Sequence, residues 1–178
     1  MIYSSLSTKR SQSKVLKDEI TKHVSDSSFK LLVVCWLTKE QIIRKSLIEI
    51  INSLEKYIKK YKLNLSLTIA GKKGDAINLI ERKIQELNLQ NFINLELDIT
   101  EKQKNNFYLT SDLFLNPSYM EGFGNATLEA MSFGCPSLVS RYGASPEVLS
   151  ESGIIINLIS DEYISKGIRQ FCSLDKNT

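Results

Sequence analysis

The 178-residue chain has the length of one ordinary domain, and two full domains do not fit into it easily. With 42% hydrophobic and 24% charged residues it can build a sizeable core, which excludes disorder over most of its length. Its 23 Lys and Arg against 20 Asp and Glu give a net charge of +3 with the signs interspersed, so the charge pattern lends no support to a nucleic-acid partner.

Residues 1–29, rich in Ser, Thr and Lys, read as an N-terminal arm or linker with a short helix around 14–23. They lack the charged-then-apolar order of a signal peptide. The domain, expected over residues 30–178, opens with Leu31-Leu-Val-Val-Cys-Trp-Leu37, a continuous apolar run of the kind that forms a strand buried on both faces of a parallel sheet. Ile43, Leu47, Ile50, Ile51, Leu54, Ile58 and Tyr61 then recur at steps of three and four, which predicts one long amphipathic helix. The remaining expected elements are a strand over 63–69, a helix over 77–87, a strand over 92–97, a short helix over 101–109 and a strand over 113–115. After these come a helix over 127–133 ended by Gly134, a strand over 137–140, a short helix over 145–149, a strand over 154–156 and a last helix over 162–171.

Strands and helices thus alternate throughout. A parallel neighbour needs a crossover of a dozen or more residues, so the economical architecture is an α/β doubly wound, mostly parallel Rossmann-like sheet of about six strands. Ligands of such sheets sit at the carboxyl ends of the strands, near the topological switch. No apolar run reaches the roughly 18 residues of a spanning helix. The three cysteines, Cys35, Cys135 and Cys172, are an odd number without a C-x-x-C pair, and they read as reduced thiols of a cytoplasmic protein, with peripheral membrane attachment left open.

Two loops are candidates for chemistry. Gly71-Lys72-Lys73-Gly74-Asp75 offers tight turning and exposed backbone before a helix, although taken alone it reads more as a simple turn than as a site. Neither the dinucleotide fingerprint nor the P-loop pattern occurs. The richer segment is Asn116-Pro-Ser-Tyr-Met-Glu-Gly-Phe-Gly-Asn-Ala-Thr-Leu-Glu-Ala-Met131, which runs from a strand end through glycines into a helix start. Gly122 and Gly124 let the main chain approach a ligand, and the free N–H groups of the following helix suit an anion. Glu121 and Glu129 place two carboxylates at different depths, and a carboxylate accepts from two adjacent hydroxyls, so together they suit a sugar nucleotide. The plain alternative is a turn with Asn125 as N-cap and Glu129 as a solvated helix residue.

Residues 117–124 followed by Leu128-Glu-Ala-Met131, Gly134-Cys-Pro136, Gly143-Ala-Ser-Pro-Glu-Val148 and Gly153 resemble the signature of retaining family-4 glycosyltransferases, and the similarity extends over about residues 31–171. The resemblance implies one half of a GT-B architecture, the C-terminal domain that binds a UDP-, GDP- or ADP-linked sugar, with no other cofactor and no metal, since no D-x-D motif occurs. By position it implies that Glu129 accepts from the ribose diol and that Glu121 meets donor-sugar hydroxyls. It further implies that the amides of Gly122, Phe123, Gly124 and Asn125 line the sugar and phosphates, with Gly71 in the neighbouring loop. The family's Arg and Lys, which neutralise the leaving diphosphate, fall on Trp36 and on Lys45, with Arg44 adjacent. The family's glycine near the base falls in Leu97-Asp98.

The function expected is retaining transfer of a hexosyl group to an acceptor hydroxyl in polysaccharide or glycoconjugate biosynthesis. The acceptor is a glycan, lipid or small molecule, and an acceptor-binding domain is expected on a separate or missing polypeptide. The alternative is a non-catalytic remnant or partner module that needs such a polypeptide. His23 reads as a surface residue, Trp36, Phe107 and Tyr108 as core, Glu147 as a helix-start acid, and Lys59, Lys60 and Lys62 as a solvated face.

Overall fold

The structure, a computed structural model, describes residues 29–61, 64–143, 145–149 and 153–174. The expected arm with its short helix and His23, together with Lys62 and Ala144, lies outside the described residues. Six strands, β1 (Phe29–Val34), β2 (Leu65–Gly71), β3 (Ile93–Leu97), β4 (Leu113–Asn116), β5 (Ser137–Ser140) and β6 (Gly153–Ile156), form one sheet in the order β3-β2-β1-β4-β5-β6. Every pairing is parallel. The helices between and after them are α1 (Lys39–Arg44), α2 (Leu47–Tyr61), α3 (Ile77–Glu86), α4 (Glu101–Thr110), α5 (Asn125–Ser132), α6 (Ser145–Leu149) and α7 (Asp161–Leu174). This is the doubly wound sheet that the alternation predicts.

Side-chain alternation along a strand explains the two cores. On central β1, Leu31 and Val33 enter the larger core, where Leu47, Ile50, Ile51 and Leu54 of α2, Ile77, Ile80 and Ile84 of α3, and Ile164 and Ile168 of α7 cover that face. Leu32 enters the smaller core on the other face, with Tyr108, Phe114, Ala130 and Cys135. Strand β4 splits in the same way, with Leu113 and Leu115 in the first core and Phe114 in the second. A strand covered on both sides has no polar face, which is why Leu31 to Val33 are uninterruptedly apolar. Among the described residues, no helix is long and apolar enough to cross a membrane.

The long helix expected over 43–61 is two helices. Thr38 caps α1 with its hydroxyl, Lys45 closes it, and Ser46 takes a left-handed backbone with φ 54° before α2 starts. The break rotates the apolar face: Ile42 is buried, whereas Ile43, expected in the apolar stripe, is exposed. A three-four spacing survives a one-residue break of this kind, so the periodicity alone does not register it.

All three cysteines are buried, and none of them forms a disulfide. Burial pushes the Cys35 thiol up from 9.0 to about 11, with Lys45 and Arg44 offsetting part of the rise. Burial, reinforced by Asp112, does the same to Cys135, also to about 11. Near pH 8 the native chain therefore holds about a hundredfold less thiolate at these positions than the unfolded chain. Iodoacetamide followed by mass spectrometry is expected to label both cysteines at least that much faster in urea than in buffer, and equal rates would contradict their placement.

Candidate functional site

The chain winds from β1 toward β2 and β3 on one side, then crosses to β4, β5 and β6 on the other, so the topological switch lies between β1 and β4. Adjacent loops diverge there and leave a crevice at the carboxyl ends of those two strands. Three of the predicted site residues, Arg44, Lys45 and Glu121, are brought together at this place.

Lys45 is the centre of that group. Its side chain is only 7% exposed, and its Nζ donates to Asn116 Oδ1 at 2.8 Å and to Glu121 Oε2 at 2.9 Å. The Ser46 break makes this possible. The turn between α1 and α2 directs Lys45 across the crevice, and Ser46, itself fully buried, donates its hydroxyl to Pro117 O at 2.7 Å. Asn116 ends β4 with a buried amide whose Nδ2 donates to Thr127 Oγ1 of α5 at 3.0 Å, while Ser118 Oγ donates to its Oδ1 at 3.0 Å. Ser140 at the end of β5 donates in turn to the Ser118 carbonyl. Strand ends, the α1–α2 junction and the start of α5 are thus joined through one buried polar network, and such networks fix geometry when every member is satisfied. Sequence reasoning assigned no role to Asn116, Ser46 or Ser118. The one local signal is a polar residue closing an apolar strand.

Arg44 leans on the same loop. Its guanidinium donates to Gln41 Oε1 and to Met120 O, and it stands 3.8 Å from the Glu121 carboxylate. Two cations therefore share one largely buried carboxylate, a cluster able to exchange that partner for an incoming anion.

Downstream, α5 begins at Asn125 with Gly124 as its N-cap at φ 79°, so Asn125 is the first helical residue and not the cap that the plain alternative proposed. Only a residue without Cβ holds this backbone at no steric cost, and the helix start follows directly. Gly122 and Phe123 are exposed, and a Cβ at Gly122 would meet nothing within 4 Å, so this part of the loop is open to solvent. Gly143 packs beneath it, where a Cβ would stand 2.5 Å from Glu121 O.

Gly71 ends β2 on the other side of β1, against Cys35: a Cβ there would lie 2.0 Å from the Cys35 carbonyl oxygen. Cys35 N–H donates to Ala70 O, Leu37 N–H to Lys72 O, and Asp98 N–H to Gly71 O. Asp98, in the region expected near a base, also accepts from Lys73 N–H at 3.1 Å. Trp36 is not core. It is 56% exposed because its buried neighbours Cys35 and Leu37 turn inward and the extended chain turns the indole to the opposite side, where Lys72 Nζ lies 4.8 Å from the ring centroid. Tyr108 is buried and Phe107 partly so, as expected.

Glu129 stands apart from the Lys45 cluster. From the second turn of α5 it faces α4, where its Oε2 accepts from Tyr108 Oη at 3.2 Å and from Lys104 Nζ at 3.0 Å. Burial depresses the Lys104 ammonium, but hydrogen bonds to Glu101 and Glu129 more than reverse this and raise its pKa. Glu147 is an exposed acid in the first turn of α6.

A six-stranded sheet in this order, with a glycine loop feeding a helix at the switch, defines a Rossmann-like α/β domain. Residues 29–177 match the family model described as glycosyl transferases group 1, and the chain belongs to that family. It is similar to O-antigen chain mannosyltransferase B of Escherichia coli, at 38% identity over 63 residues, 35% of this chain and 16% of that protein. It is also similar to an MMP alpha-(1->4)-mannosyltransferase of Mycolicibacterium hassiacum, at 29% identity over 80 residues, 45% of this chain and 20% of that protein. The similarity thus spans a fifth or less of either relative's length. Among solved structures it shares its fold with the C-terminal domain of a glycosyl transferase group 1 family protein (LpcC) from Francisella tularensis. That match has a TM-score of 0.68 at 22% identity, covering 82% of this chain and 75% of that one.

Proposed function

We propose that this chain is the donor-binding half of a GT-B, retaining family-4 glycosyltransferase, which takes a nucleotide-diphosphate sugar and passes its hexosyl group to an acceptor hydroxyl in glycoconjugate biosynthesis. The observation that carries this reading is the switch-point cluster of Arg44, Lys45 and Glu121 facing a glycine loop at a helix N-terminus. When the bond between the anomeric carbon and the diphosphate breaks, negative charge grows on the leaving oxygen. Arg44, Lys45 and the first amides of α5 are the groups that stabilise it. Glu121 and Asn116 hold Lys45 until the phosphates arrive, and Glu121 then faces the sugar hydroxyls. Glu129 accepts from the ribose diol. The mannosyltransferase relatives favour a hexose donor, and the proposed partners are this nucleotide sugar and an acceptor-binding domain across the crevice. The working compartment proposed is the cytoplasm, and no further cofactor is assigned.

Trp36 is the chain's only tryptophan and is exposed just past the carboxyl end of β1, so its emission is the probe for ligand binding at that end of the sheet. Titration with UDP-, GDP- and ADP-linked sugars is expected to show saturable binding of one base class, and Glu129→Ala is expected to weaken it about tenfold, as loss of a charge-assisted hydrogen bond does. No binding of any donor, by fluorescence and by calorimetry, would remove the donor site. Trp36, standing where the resembled family carries arginine, favours a second reading as a binding module without turnover of its own. Sugar transfer by the purified chain alone would refute it.

A further inference from the structure

Helix α4 is polar along most of its length, yet its phase is set firmly. Thr100 and Gln103 form a reciprocal capping box at its start, with the Thr100 hydroxyl accepting from Gln103 N–H and Gln103 Oε1 accepting from Thr100 N–H. Lys104 and Tyr108, four residues apart, then share one face. The Tyr108 ring is 1% exposed, 5.5 Å edge-on from Phe114 and 5.9 Å from the nearly parallel Phe133 ring. Packed on two sides, it has one place for its hydroxyl, which is Glu129. Lys104, 18% exposed, is held between Glu101 at 2.9 Å and Glu129 at 3.0 Å.

Both contacts to Glu129 fall on the same oxygen, Oε2. No hydrogen bond reaches Oε1 among the described residues, although a carboxylate offers about four acceptor sites on two oxygens. Apolar packing alone would join α4 to α5 without this arrangement, because phenylalanine fills the Tyr108 slot equally well. What the hydroxyl and the ammonium add is orientation: the carboxylate cannot rotate without breaking two hydrogen bonds.

We infer that Lys104 and Tyr108 are positioning residues that anchor Glu129 through Oε2, so that Oε1 is presented, already oriented, to a vicinal diol of the ligand. This rests on the proposed donor site, and it adds the origin of the site's preference for a ribose over a deoxyribose. Fixing a rotamer-rich side chain before binding is worth roughly fivefold in affinity, and here that gain applies only to ligands that carry the diol.

The test is the ratio of dissociation constants for 2′-deoxyribo- and ribonucleoside diphosphates, read by Trp36 fluorescence on the whole chain and on Tyr108→Phe and Lys104→Met. The unaltered chain is expected to prefer the ribonucleotide at least tenfold. Tyr108→Phe, which keeps the packing, is expected to lower that ratio roughly fivefold with little change in affinity for the deoxynucleotide, and Lys104→Met is expected to act in the same direction. A ratio unchanged in both variants overturns the positioning role. A ratio that rises also overturns it, since the contacts would then be holding Glu129 away from the ligand. Nucleotide binding without ribose preference in the unaltered chain removes Glu129 from the donor site itself. That outcome is distinguishable because it precedes any substitution.

Discussion

Replacing Lys45 by methionine is expected to lower the unfolding free energy of the domain by about 3 kcal/mol, measured by urea denaturation. The ammonium is nearly buried and satisfies two acceptors, Asn116 Oδ1 and Glu121 Oε2, and the Glu121 carboxylate is itself only 10% exposed. Removing one partner of such a pair leaves a desolvated charge without compensation, which costs about 3–5 kcal/mol in buried pairs. Arg44, 3.8 Å from the same carboxylate, places the expected value at the lower end of that range. The double variant Lys45→Met with Glu121→Leu removes both charges and is expected to be more stable than Lys45→Met alone, since an apolar pair carries no desolvation penalty. A double variant whose loss of stability equals the sum of the Lys45→Met and Glu121→Leu losses would show that the pair is not coupled. Lys45→Met is also expected to abolish diphosphate binding in the fluorescence titration, whereas its effect on a neutral nucleoside is small. That contrast separates lost charge recognition from lost folding.

The second large effect is expected at Gly71. An alanine Cβ would lie 2.0 Å from the Cys35 carbonyl oxygen, and this is backbone that cannot swing aside as a side-chain tip can. Cys35 N–H is bonded to Ala70 O, and Leu37 N–H to Lys72 O, so the two loops move together or not at all. Overpacking of this severity costs about 3 kcal/mol or more. Gly71→Ala is therefore expected to destabilise the domain by that amount and to shift the emission of Trp36, which lies between the two displaced anchors. Gly122→Ala is the matched control. Its Cβ would have no neighbour within 4 Å, and its unfolding midpoint is expected to stay with the parent. A Gly71→Ala midpoint within error of the parent would mean that the β1 and β2 loops are not in contact.

Some of this site was legible in the sequence because its signals are local. Gly122 and Gly124 between an apolar strand and a helical spacing mark a loop of free backbone, and Glu121 and Glu129 declare themselves as carboxylates around it. Trp36 and Ile43 show where local signals stop. Both are large and apolar, and the sequence places both in the core, yet both are exposed. Their side-chain directions depend on where the chain leaves the sheet and on the Ser46 turn, and neither leaves a trace in spacing or composition.

From the sequence alone came the alternation of strands and helices, and with it the doubly wound sheet and the strand ends where the candidate site lies. It also supplied the chemistry of the glycine loop. Periodicity, caps and glycines act over a few residues, so a one-dimensional pattern contains them. Which groups meet was decided by tertiary structure. Lys45 finds Asn116 across 71 positions and Glu121 across 76, while Tyr108 and Lys104 of a separate helix claim Glu129. Those pairings are set by strand order and by one left-handed residue at Ser46 that turns the α1–α2 junction into the crevice. Contacts over such separations arise only when the sheet assembles and desolvation makes each buried charge find a partner.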